Sequence, residues 1–96
     1  MRLPGILVGM TPIDTCLQTL KVLIAVGEVH QIVLAEQAID GLMAANIGSA
    51  HKIETLTVLE GKLISARRDA TGQSADFADT VFAYIDKLVR NLTTST

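Results

Sequence analysis

The side chains of this chain best suited to chemistry are two histidines, one cysteine and a scatter of carboxylates, and their spacing decides what they could do. His30 and His51 each fall in a stretch of helical periodicity. A helix that binds a metal presents its second ligand at i+4, but Leu34 and Thr55 stand there. Cys16 lies at no zinc spacing from either histidine, and a lone cysteine excludes an intrachain disulfide. We read Cys16 as a small buried hydrophobe in a reducing compartment. Glu36 and Asp40 are the close carboxylate pair on a helix, at i,i+4, but no Glu-x-x-His accompanies them. They read as a solvated face, together with Glu54, Glu60, Asp69, Asp76 and Asp79. Ser49, Ser65 and Ser74 lie in no nucleophile-elbow context, and Gly5, Gly9 and Gly48 form no phosphate loop. The expectation is a protein without catalytic residues, metal or cofactor.

His51 has one sharper alternative. Ala50-His51-Lys52-Ile53-Glu54 resembles the phosphoacceptor stretch of histidine-containing phosphotransfer domains, with an apolar residue two positions after the histidine. The resemblance implies a bundle helix that exposes His51 to a partner domain. Where that family carries lysine and then glycine, this chain has Glu54 and Thr55.

Ninety-six residues make one domain. Hydrophobic residues form 49% of the chain and aromatics only 3%, so the core must come from Leu, Ile, Val and Ala. That much aliphatic surface on so short a chain points to a partner face, most simply that of a homodimer. The formal net charge is −2 with both signs interspersed, which argues against nucleic acid. Lys21, Glu28, His30 and Gln31 interrupt the most apolar run, 20–34, and make it a poor membrane span. Pro4, Gly5 and Gly9 interrupt the apolar run 3–10, and no small-residue cleavage site follows, which argues against a signal peptide. A cytoplasmic location is expected.

These side chains need elements to hold them. Residues 1–10 read as an extended arm. Thr11-Pro12-Ile13-Asp14 is a helix start: Thr11 can cap, Pro12 suits the first helical position, and Asp14 complements the dipole. Ile13, Leu17, Leu20, Ile24 and Gly27 share one face, and after Gly27 the apolar stripe changes face. We favour one long, kinked helix over 12–45. A break near Gly27, or a β-hairpin turning at 27–28 within 21–35, are the alternatives. Asn46-Ile47-Gly48-Ser49 supplies a stop and a restart, with Asn46 or Gly48 left-handed and Ser49 as cap. A helix over 50–69 follows, with Ile53, Leu56, Leu59, Leu63 and Ala66 at heptad-like spacing. Gly61 within it suggests a close helix crossing, and Arg67-Arg68 complement its C-terminal dipole. After the loop 70–73, Ser74 caps a last helix, in which Asp86 and Arg90 can pair. Its apolar positions cover so wide an arc that more than one neighbour must cover them. Residues 93–96 read as a frayed tail. The whole predicts an all-α, antiparallel bundle of three or four helices.

The register of residues 34–46 and 53–63 is similar to that of flagellar export chaperones of the FlgN type. There a long amphipathic helix passes through a small-residue connection into a second helix rich in Leu and Glu, as in Leu34-Ala35-Glu36-Gln37-Ala38-Ile39-Asp40 and Ile53-Glu54-Thr55-Leu56. The resemblance implies binding rather than catalysis. An apolar groove would hold an amphipathic helix of an export substrate. Phe77, Val81, Tyr84, Leu88 and Leu92 are the stripe expected to line it.

Overall fold

A computed structural model describes residues 11–44 and 48–95. These form four helices and no strand: α1 (Pro12–Val26), α2 (Ile32–Ala44), α3 (Ser49–Asp69) and α4 (Gln73–Ser95), with a short 3₁₀ turn (Val29–Gln31) leading into α2. The extended arm expected over 1–10 and the role expected of Asn46 lie outside the described residues.

Thr11 starts α1 as expected. Its hydroxyl accepts from the Asp14 N–H at 3.1 Å, while the Asp14 carboxylate accepts from the Thr11 N–H at 3.4 Å. Two otherwise orphaned donors are satisfied reciprocally. Pro12 occupies the first turn, where its missing N–H costs nothing.

The long helix over 12–45 is not formed, and neither is the hairpin over 21–35. Gly27 takes φ +69° and ends α1 by donating its N–H to the Leu23 carbonyl at 2.8 Å. The start of α4 packs directly on this corner. A Cβ at Gly27 would stand 3.0 Å from both Gln73 Cγ and the Ser74 nitrogen. Gln73 Nε2 donates to the Val26 carbonyl (3.3 Å) and Ser74 Oγ to the Ala25 carbonyl (3.2 Å). The last carbonyls of α1, which no i+4 donor reaches, thus find partners on α4. Ser74 was expected to cap its own helix. Instead α4 already begins at Gln73, and the Ser74 hydroxyl serves α1.

Ser49 likewise is not a cap. Gly48, at φ +85°, precedes α3, and Ser49 is its first helical residue. Gly61 mediates no crossing, since a Cβ there would meet nothing within 4 Å. The helix expected to fray at 93 continues to Ser95, with Thr94 Oγ1 bonded to the Arg90 carbonyl at 2.8 Å.

The pair α1/α2 packs on the pair α3/α4. Within the second pair the register is antiparallel. Arg67 meets Asp79, and Glu60, seven residues back along α3, meets Asp86, seven forward along α4. Within the first pair, residues 12–19 of α1 and 38–42 of α2 line one shallow groove, so α2 also runs back along α1. The core is aliphatic: Leu20, Ile39, Leu56, Leu59, Leu63, Val81 and Ile85 are fully buried, each worth roughly 1.5–3 kcal/mol of transfer free energy. Ala35 and Ala78, also buried, let the helices approach closely.

Candidate functional site

The stripe expected to receive a partner is largely spent inside the bundle. Phe77 is 4% exposed and Val81 0%. Tyr84, Leu88 and Leu92 are half-buried against the same core. The wide apolar arc of α4 is covered by α1, α2 and α3, all of which it touches. Phe77 and Val81 are core positions of the bundle. Tyr84 also makes a polar contact between helices. Its hydroxyl donates to Asp40 Oδ1 of α2 at 2.5 Å, and burial, this bond and the charges of Asp40 and Glu36 push its pKa up to about 12. The Glu36–Asp40 pair is thus joined to α4 rather than simply solvated.

His51 is exposed in the first turn of α3. It stands at the rim of a cavity of about 330 Å³ lined by Thr11, Pro12, Ile13, Leu42, Glu54, Thr55 and Val58. Its Nδ1 lies 3.7 Å from Glu54 Oε1. The Glu54 carboxylate stands where the phosphotransfer pattern has lysine, and its negative charge opposes the approach of a phosphoryl group. His30 is exposed at the corner, 3.8 Å from Glu28. Cys16 is buried, and desolvation raises its thiol pKa to about 11, so it stays a protonated, unreactive core group at neutral pH. Among the described residues no three His, Cys, Asp or Glu side chains come together as a metal site, and no helix is long and apolar enough to cross a membrane.

Arg67, expected to complement the helix dipole, grips Asp79 with two hydrogen bonds, Nε to Oδ1 at 2.6 Å and Nη2 to Oδ2 at 3.3 Å. The Asp79 bond and charge raise its pKa. Asp86, expected to pair with Arg90, turns instead to Glu60. Burial, a hydrogen bond and the like charge of Asp86 raise the Glu60 pKa.

The exposed apolar residues gather elsewhere. Of the seven large hydrophobics exposed among the described residues, Val22, Val26, Val29, Val33 and Leu34 lie on α1, α2 and the turn between them. Val22 is 61% exposed, Val29 80% and Val33 52%. Around them the outward positions of α1 are Thr15, Gln18, Thr19 and Ala25, and those of α2 are Gln37 and Gly41. Even the threonines are muted: Thr15 and Thr19 turn their hydroxyls to the carbonyls of Thr11 and Thr15, at 3.2 and 3.1 Å.

Along the two helices this strip is uncharged, with Glu28 and His30 at its corner end, and its long edges are charged. Lys21 borders it on the α1 side, where it lines a cavity with Ser65, Ala66 and Asp69 of α3. Glu36 and Asp40 border it on the α2 side, next to Tyr84 of α4. The outer positions of α3 and α4 are different in kind, with Glu54, Lys62, Arg68, Asp76, Asp79, Asp86, Lys87 and Arg90 exposed. Periodicity does not mark this strip, because within 20–34 valines, leucines and isoleucines fall on both the inner and the outer faces. One signal was present: Val22 and Val26 sit off the Leu17–Leu20–Ile24 stripe, at i,i+4 to each other.

Comparison of the chain with protein-family models, with curated proteins and with solved structures returns no match.

Proposed function

We propose that the chain is a non-enzymatic helical binding protein that offers the outer face of α1/α2 to a protein partner or to a second copy of itself. The observation that carries this reading is the segregation of exposed apolar side chains. Monomeric surfaces scatter such residues singly, whereas here Val22, Val26, Val29, Val33 and Leu34 share one side of the bundle. The resemblance to FlgN-type export chaperones supplies the mode of use, an amphipathic helix of an export substrate laid along an apolar surface. On this reading the adaptor works in the cytoplasm, where Cys16 remains a thiol. On this reading the surface used is the outer face of α1/α2 rather than the stripe on α4, of which Phe77 and Val81 are buried.

Fluorescence anisotropy with labelled amphipathic helical peptides tests the proposal. Binding should be lost in the Val22→Glu/Val33→Glu double variant and retained in Val58→Glu/Ile64→Glu, which alters the exposed hydrophobics outside the strip. Equal binding by both variants would refute the assignment of the face.

A further inference from the structure

The strip on α1/α2 has opposite charges on its two long edges, and this arrangement selects an occupant. Lys21 stands on the α1 edge and Glu36 on the α2 edge. The two helices run antiparallel from the corner at Gly27. Lys21 lies five residues before the end of α1 and Glu36 four after the start of α2, so the two are nearly level along the bundle. Between them the outward helix positions carry no charge to desolvate, and Glu28 and His30 lie beyond, at the corner.

We infer that the face is covered by a second copy of this chain, related by a two-fold axis parallel to the helices. The inference rests on the reading of α1/α2 as a binding face. Such an axis lays α1 of one copy over α2 of the other and exchanges the edges. Lys21 of each protomer then meets Glu36 of its partner, giving two symmetry-related ion pairs flanking the shared valines. A two-fold axis across the helices would instead bring lysine edge to lysine edge and acidic edge to acidic edge, an arrangement opposed by like charges. A helix of 15 residues beside one of 13 offers a footprint of about 20 Å by 20 Å. That is small for a specific interface, so the dimer is expected to be weak and sensitive to salt.

Sedimentation equilibrium of the full chain at low salt, from about 10 µM to about 1 mM, is the test. The wild type should show a monomer–dimer equilibrium. Lys21→Glu and Glu36→Lys should each weaken it about tenfold, because each reversal spoils two pairs. The Lys21→Glu/Glu36→Lys double variant should return to within about threefold of wild type, and high salt should narrow all these differences. Far-ultraviolet circular dichroism confirms that each variant keeps its helices. Single reversals without effect, a double variant weaker than either single one, or a wild type monomeric throughout would overturn the inference. If the wild type is monomeric yet loses peptide binding on Val22→Glu/Val33→Glu, the face survives and the second copy does not. If that valine variant changes neither dimer nor peptide binding, both readings fall.

Discussion

Tyr84 is the only tyrosine in the chain, so its ionisation can be read without interference. Its hydroxyl bonds Asp40 across α2 and α4, and its pKa is raised from 10 to about 12 by burial, then by Asp40, then by Glu36. The folded state holds the proton more tightly than the unfolded chain does. The contact therefore contributes fully below about pH 10 and is lost as pH rises through about 12. Ultraviolet titration of tyrosinate should give a midpoint near 12, falling towards 10 in Asp40→Asn; an ordinary midpoint in the wild type would disprove the bond. Tyr84→Phe should cost about 1 kcal/mol in urea unfolding. Glu60 gives the opposite exercise. Its raised pKa reflects burial and the neighbouring Asp86, so at neutral pH the folded state bears an unfavourable pair of like charges. Glu60→Gln should stabilise by roughly 0.3 kcal/mol at pH 7, with the gain fading as pH falls through the ordinary carboxyl range. Neither contact was legible in the sequence. Each joins residues on different helices, and the spacing along one helix that suggested Asp86–Arg90 says nothing about register between two.

At the scale of elements, two glycines make opposite predictions. Gly27 has φ +69° and no room for a Cβ beside Gln73 and Ser74, so Gly27→Ala should destabilise by about 2–3 kcal/mol. Gly61 lies in a helix with open space around it, so Gly61→Ala should stabilise by about 1 kcal/mol. Thermal unfolding of the two variants checks both, and a shift in the same direction for both would contradict this account of the corner. The start of α1 was legible because its capping box closes within four residues. The break at Gly27 was only an alternative, because what enforces it comes from α4, far along the chain: the close approach of Gln73 and Ser74 and their bonds to the carbonyls of Val26 and Ala25. Ser74 misled for the same reason. A serine beside an acidic first turn looks like a local cap, whereas its acceptor lies on α1.

At the scale of the molecule, the all-α bundle follows from aliphatic periodicity and short connections, both legible in the sequence. The choice of outer face was not reachable that way. A wide apolar arc on α4 signals several neighbours, but not whether they belong to the same chain; here they do, and the surplus appears on α1/α2. Substitutions should divide accordingly. Val22→Glu/Val33→Glu, on exposed positions, should change stability by no more than about 0.5 kcal/mol. Val81→Glu, at a fully buried position, should cost more than about 4 kcal/mol and leave the chain largely unfolded. Chemical denaturation distinguishes the two, and a large loss from the surface pair would mean that those valines serve the core. The central claim, that association uses the outer face of α1/α2, is tested most directly by following backbone amide chemical shifts as the chain is concentrated or as a bound helical peptide is added. The account predicts changes clustered on Thr19, Val22, Val26, Val33, Leu34 and Gln37, with the outer positions of α3 and α4 unmoved. Changes centred on Leu88 and Leu92, or on Val58 and Ile64, with α1/α2 silent, would contradict it.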